Sequence, residues 1–381
     1  MKRDVDRAAI AQRFAVEGDI IELIPFGEGH INDTYRVQIK TESGAIQKYT
    51  LQRLNRTVFP KPREVLENFK AVTEFLKQRI AEEGGDAARE TLTLIPAQGG
   101  ELSVVDEDGE MWRMYRYIDH CSTRQISDSP ESFAAAGEGF ARFLRRLDRF
   151  PADGLHEVIP RFHDTRDRFR KLRQAMKENR SGRLEQALPE LEQALSWENQ
   201  ASYLMDRLHA GVLPLRVTHN DTKINNILFD EETNRALCVI DLDTIMPGLV
   251  AYDFGDANRA GAATAREDEP NLELVHFDEA YYEAYAKAYL AETGEILTEE
   301  EVRSLPMGCF LMTLECGVRF LTDFLDGDVY FKCAYPEHNL VRARTQLRMA
   351  AEIESKLAHM TQTVLACYAE NRARRENGDR A

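Results

Sequence analysis

The chain has 381 residues, 43% of them hydrophobic, and a formal net charge of -16 with an isoelectric point near 5.2. That length and apolar content suffice for a large core divided between two lobes and exclude a disordered chain. The acidic balance argues against nucleic acid or an anionic membrane as partner, through long-range repulsion, and favours a small neutral molecule.

The opening stretch MKRDVDRAAIAQRF is amphipathic and charged, without the apolar core of a secretory signal, and no run approaches membrane-spanning length. Cys121, Cys238, Cys309, Cys316, Cys333 and Cys367 show no metal-ligand spacing and have apolar neighbours. They read as packed, reduced thiols, and the expected location is the cytoplasm. From Ile20 the pattern is that of strands, at Ile20 to Pro25, Thr34 to Ile39 and Gln47 to Leu54, an antiparallel meander. Between the first two, FGEGHIND places Gly27 and Gly29 in a turn that serves either as a plain hairpin or as an approach to phosphates. In the third strand, alternation groups Arg53 with Tyr49 and Leu51 and makes Arg53 the candidate cation for the nucleotide's α and β phosphates. A helix is expected over Arg63 to Ile80, where Glu64 or Glu67 could pair with Arg53 or simply be solvated. Runs at Leu92 to Pro96 and Met111 to Ile118 complete a five-stranded lobe, and the backbone near Tyr117 and Ile118 either meets adenine or forms an ordinary exit loop.

Thereafter helices dominate. Ser129 and Pro130 supply an N-cap and a first helical position, and the charged stretch Arg161 to Arg207 reads as two solvent-facing helices broken near Ser181 and Gly182. The segment VTHNDTKINNILFDEETNRALCVIDLD, Val217 to Asp243, gathers Asp221, Lys223 and Asn226 on one loop before a strand over Ile227 to Phe229. A second strand, Ala236 to Ile240, then delivers Asp241. These residue types suit magnesium-dependent phosphoryl transfer from ATP. Asp221 would accept the proton of an attacking hydroxyl, Lys223 would face phosphoryl oxygens, and Asn226 and Asp241 would ligate Mg²⁺. Helices are expected over Leu274 to Glu292, Glu299 to Leu325 and Leu340 to Asn371. Arg319, Asp323, Asp326, Asp328 and Tyr330 form a polar cluster at a helix end, suited to sugar hydroxyls and an amide or else merely solvated.

The spacing of His219, Asp221, Asn226, Ile240 and Asp241 resembles that of the aminoglycoside phosphotransferase and choline kinase superfamily. The resemblance implies a bilobal, protein-kinase-like α+β fold. Its nucleotide-binding lobe would span residues 1–117 as an antiparallel five-stranded sheet with a helix, and a larger, mainly helical catalytic and substrate-binding lobe would span 118–381. It also implies that Asp253, in VAYDFGD, and His219 are structural supports of the loop. Over nearly the whole chain, GHINDTYRV, LQRLN, RFHDT, HNDTKINN, IDLDT and RFLTDFLDGDVYFK look like the N-acetylhexosamine 1-kinases. Those enzymes phosphorylate the anomeric hydroxyl of N-acetylglucosamine and N-acetylgalactosamine. That likeness places Thr244, Arg319 and Tyr330 near nucleotide or sugar and adds His30, Asn32 and Asp33 as contacts to sugar or phosphate. Arg53 matches the arginine of choline kinases where many relatives carry lysine. Other acceptors that keep the fold are choline, an aminoglycoside, homoserine or methylthioribose, and a nucleotide-binding regulator without catalysis is a further reading.

Overall fold

The computed structural model describes residues 6–27 and 31–378, with backbone alone at 375–378. In chain order the first part gives α1 (Arg7–Ala11), β1 (Asp19–Pro25), β2 (Asp33–Lys40), β3 (Ile46–Arg53), α2 (Pro62–Glu82) and α3 (Ala87–Glu90). The strands β4 (Leu94–Ile95), β5 (Val104–Val105), β6 (Met111–Arg116) and β7 (Cys121–Ser122) follow. Next come α4 (Pro130–Arg146), α5 (Thr165–Glu178), α6 (Leu188–Ser196), α7 (Tyr203–His209), β8 (Arg216–Thr218), β9 (Ile227–Asp230), β10 (Ala236–Val239) and β11 (Met246–Gly248). The chain ends with α8 (Val250–Gly261), α9 (Glu279–Thr293), α10 (Glu299–Asp326) and α11 (His338–Gly378). They form two compact units, one of Met1–Ser122, Leu155–Ile159 and Leu228–Ile245, the other of Thr123–Gly154, Pro160–Ile227 and Met246–Ala381.

The first unit is built on an antiparallel sheet in the order β1-β2-β3-β6-β4, with β5 also paired to β6. The expected five strands are thus six, because Val104 and Val105 pair with Trp112 and Met111. Alternation sorts the two faces. Val37, Ile39, Tyr49, Leu51, Trp112 and Met114 point into a core shared with Ile10 and Phe14. The opposite face carries Gln52, Arg113 and Tyr115, and there Phe69 of α2 lies against Tyr115 and under the Arg113 guanidinium. A single cut after residue 117 does not describe this unit. The β9–β10 hairpin belongs to it because β9 pairs with β7, Cys121 opposite Asp230 and Ser122 opposite Phe229. Buried Asn68 on α2 fastens the other short piece, donating to the carbonyls of His156 and Ile245 and accepting the His156 amide.

In the second unit, the Ser129 hydroxyl accepts the Ser132 amide at the start of α4, as the Ser-Pro signal predicts. The charged stretch forms three helices where two were expected. Asn179 in the left-handed region and Gly182 end the first, and a further break follows α6 at Trp197. These helices are also less exposed than their charge suggests, since Phe169, Leu172 and Ala175 are buried. At 28 residues α10 is long and apolar enough to cross a membrane, contrary to the expectation from sequence, yet 83% of its apolar window is buried within the protein. It is a core helix, opened by a capping box of Thr298 and Glu301. Helices α8 and α10 meet backbone to backbone: a β-carbon on Gly255 would stand 2.3 Å from the Gly308 carbonyl oxygen, and one on Gly308 2.1 Å from that of Ala251. Gly308→Ala should therefore destabilise the protein by about 1–3 kcal/mol. A wild-type midpoint in urea would contradict this packing. All six cysteines are free thiols.

Candidate active site

The loop between β8 and β9 is held from below. Asp253, in the first turn of α8, accepts the His219 amide at 2.8 Å and the Asn220 amide at 2.7 Å, and its carbonyl accepts the Thr222 hydroxyl. Burial pushes the Asp253 carboxyl up from its ordinary value, while His219 and the two amides oppose the shift. His219 is fully buried against Phe140 and Phe143, and its Nδ1 accepts the Asp221 amide at 3.2 Å. Both residues thus brace the loop through its backbone. Asn220 turns the chain with φ of 65°, a conformation asparagine tolerates.

This scaffold brings Asp221, Lys223 and Asn226 together. Asp221 Oδ1 lies 2.9 Å from Lys223 Nζ, and its Oδ2 accepts Asn226 Nδ2 at 3.1 Å. The Asp221 carboxylate holds Lys223 well above its ordinary pKa, against burial. Asn226 Nδ2 also donates to the Asp221 carbonyl, at 2.8 Å. With its nitrogen committed twice, Asn226 turns its oxygen the other way, and oxygen is the donor a hard cation takes.

The first unit carries Asp241, immediately after β10, in the left-handed region with φ of 58°. Aspartate there stores backbone strain, which persists only where its surroundings over-determine it. Two residues on, Asp243 is 3% exposed and ion-paired to Arg113, 1% exposed. The Arg113 Nε and Nη2 both donate to Gln52 Oε1, at 2.9 and 2.6 Å. Burial opposes the Arg113 charge, but Asp243 outweighs it and the guanidinium sits above its ordinary value. The other Asp243 oxygen accepts Asn32 Nδ2 at 2.6 Å, and Asn32 Oδ1 accepts the Asn55 amide at 3.0 Å. Asn32, just before β2, is therefore bonded both to the short turn that follows Asp241 and to the loop after β3. Thr244 is buried in the same short helical turn as Asp243.

Several residues expected to contact ligand in this unit have protein partners in the structure. Arg53 is ion-paired with Asp33, its register partner on β2, so neither is an uncommitted contact for phosphate or sugar. Glu64 pairs with Lys61 and Glu67 with His156. Arg53 shares the parity of Leu51, the face away from Phe69 of α2, and this is why the helix glutamates do not reach it. Arg113 is a cation on the face packed by α2, and its place in the alternation of MWRMYR was the available signal. The Tyr117 amide donates to the Lys48 carbonyl, and the Ile118 carbonyl accepts Cys121 Sγ, so these two groups are committed before any adenine arrives. His30 lies outside the described residues.

In the second unit, Arg319 on α10 is walled by three rings, with its guanidinium carbon 5.7 Å from the Phe162 centroid, 5.8 Å from Tyr330 and 5.5 Å from Phe331. Among the described residues it makes no hydrogen bond or salt bridge. The acids expected beside it are otherwise engaged. Asp323 accepts the amides of Val329, Tyr330 and Phe331 and the Asn339 side chain, and Asp328 pairs with Arg183 and Asn339. They fix the loop that carries Tyr330, which is 62% exposed.

Comparison with known proteins agrees with this layout. The model of the APH phosphotransferase enzyme family matches residues 22–295. A probable choline kinase of Arabidopsis thaliana is 28% identical over 110 residues, a stretch that covers 28% of this chain and about a third, 32%, of that relative. Among solved structures, an aminoglycoside phosphotransferase from Alicyclobacillus acidocaldarius superposes with a TM-score of 0.61 at 15% identity, covering 96% of this chain and 98% of the other. A microcompartment-associated aminopropanol kinase gives 0.55 at 17%, covering 93% and 98%. The fold is the kinase-like one, with an antiparallel-sheet unit and a helical unit.

Proposed function

Because the chain belongs to the APH phosphotransferase enzyme family, we propose that it uses ATP and magnesium to phosphorylate the anomeric hydroxyl of an N-acetylhexosamine. The observation that carries the choice of acceptor is Arg319. A guanidinium with five N–H donors, ringed by aromatic walls and without a hydrogen-bond acceptor among the described residues, suits a neutral molecule rich in oxygen, such as an N-acetyl carbonyl and hydroxyls. Choline or a protonated aminoglycoside would bring a second positive charge to a cation whose neighbouring carboxylate, Glu315 one turn earlier, is already bonded to His163 and Thr165.

In this reading Asp221 accepts the acceptor's hydroxyl proton as its oxygen bonds to the γ phosphorus. The bond from that phosphorus to the bridging oxygen breaks, and ADP leaves. Lys223, beside Asp221, neutralises phosphoryl oxygens. Asn226 and Asp241 are the residues assigned to magnesium by their donor chemistry; the bound ion would offset charge on the phosphates. An anomeric hydroxyl is more acidic than an ordinary alcohol, which lightens the work of the base.

An amino alcohol is the second reading, favoured by the names of two relatives, a probable choline kinase and an aminopropanol kinase. Arg319→Met separates the two. For an N-acetylhexosamine it should raise the acceptor's KM by about ten- to a hundredfold, the size of one charge-assisted hydrogen bond, with the KM for ATP unchanged. Steady-state ADP release would contradict the sugar reading if the variant left the sugar's KM alone or improved turnover of an amine.

A further inference from the structure

RFHDT, residues 161–165, stands out in the sequence yet has no part in the chemistry above. In the structure His163 is 8% exposed, packed between the rings of Phe162 and Tyr252 at centroid distances of 4.4 and 5.2 Å. Its Nδ1 lies 3.0 Å from Glu315 Oε1 on α10, and its Nε2 lies 3.3 Å from the carbonyl oxygen of Asn220. Glu315 is 2% exposed, and its second oxygen accepts the Thr165 hydroxyl at 3.0 Å. Two residues of RFHDT therefore converge on one buried carboxylate.

We propose that His163 is a positioning residue for the catalytic loop, bridging the Asn220 carbonyl to Glu315 and so fixing the peptide that leads into Asp221. The Asn220 amide is already held by Asp253 at 2.7 Å. His163 holds the carbonyl of the same residue. Asn220, in its left-handed conformation, is pinned at both of its backbone polar groups, which leaves the Asp221 backbone little freedom to rotate. Glu315 lies one helical turn before Arg319 on α10. The bridge thus ties the helix bearing the proposed acceptor cation to the loop bearing the proposed base.

The chemistry of the bridge is specific. A carboxylate and a backbone carbonyl only accept, so a ring nitrogen of His163 that bonds to either must supply the hydrogen. Glu315 also faces Arg168, whose Nε is 3.8 Å away, and Arg319 on its own helix. Burial pushes the Glu315 carboxyl up, but His163, Arg168 and Arg319 outweigh it and leave it below its ordinary value. Phenylalanine could fill the same space between Phe162 and Tyr252 and would break both bonds.

The inference rests on Asp221 acting as base, and the test separates the two. In the 381-residue chain, His163→Phe should lower kcat by up to about a hundredfold, the scale of a small misplacement of a reacting group, with KM for ATP and acceptor within about twofold. His163→Gln, whose amide NH₂ can still donate, should recover part of the loss. If the buried Glu315 charge prevents His163→Phe from folding, the pair His163→Phe with Glu315→Gln should fold and show the same kcat loss. Nitrogen NMR of the wild-type protein, which needs no acceptor, should show a hydrogen-bonded His163 ring N–H whose signal moves in Glu315→Gln. A His163 ring signal unmoved by Glu315→Gln, or wild-type kcat in a folded Phe variant, would overturn the bridge. Turnover retained in Asp221→Asn would instead overturn the base.

Discussion

Asp221→Asn is expected to lower kcat by about 10²–10⁴-fold, the usual contribution of a positioned general base, while ATP binds as before. The substitution keeps the shape of the side chain. Asn220 stays anchored to Asp253, the amide of residue 221 stays on His219, and Asn226 keeps its bond to the backbone carbonyl of residue 221. What disappears is the carboxylate that can take a proton and that holds Lys223 at 2.9 Å. Lys223→Ala should behave differently, with a smaller loss in kcat and a weaker response to the charge on the nucleotide. Kinetics beside a titration with a fluorescent ATP analogue would distinguish these outcomes. An Asp221→Asn enzyme within about threefold of wild type, against the expected general-base loss, would remove Asp221 from the chemistry.

The second large effect is on stability. Arg113→Met should cost about 3–5 kcal/mol, the penalty for stranding one partner of a buried ion pair, because Asp243 is left at 3% exposure with the Asn32 side chain as its remaining neutral donor. Replacing both partners with apolar residues, Arg113→Met with Asp243→Leu, should recover much of the loss, as two buried charges then vanish together. Magnesium dependence should weaken in the single variant, since Asp243 lies two residues beyond the strained Asp241. Denaturant midpoints for the two single variants and the double give the coupling. Strict additivity would mean that Arg113 and Asp243 do not act on one another.

The parts of this molecule that were legible in its sequence are those written locally. HNDTKINN places Asp221, Lys223 and Asn226 within a single short run, so the loop could be read as one chemical unit. The meander at β1 to β3 followed from its strand-forming runs and the turn at Glu42, Ser43 and Gly44, and α4 from its Ser-Pro start. What was hidden depends on pairs far apart in the chain. Arg113 meets Asp243 across 130 positions and His163 meets Glu315 across 152. Arg53 and Gln52 are neighbours in sequence but face opposite sides of the sheet, and only the packing of Phe69 tells which side belongs to α2. The loop after α10 was readable as polar. That Asp323 turns inward to bind three amides, leaving Arg319 without a hydrogen-bond acceptor among the described residues, was not.

The most direct test of the central claim is phosphorus NMR of the product after incubation with ATP, magnesium and N-acetylglucosamine or N-acetylgalactosamine, run beside choline, kanamycin and no acceptor. A signal coupled to the anomeric proton, formed with stoichiometric ADP and absent without magnesium, is the predicted result. Phosphate on an amino alcohol or aminoglycoside with none on either sugar, or no ADP with any acceptor, would contradict it.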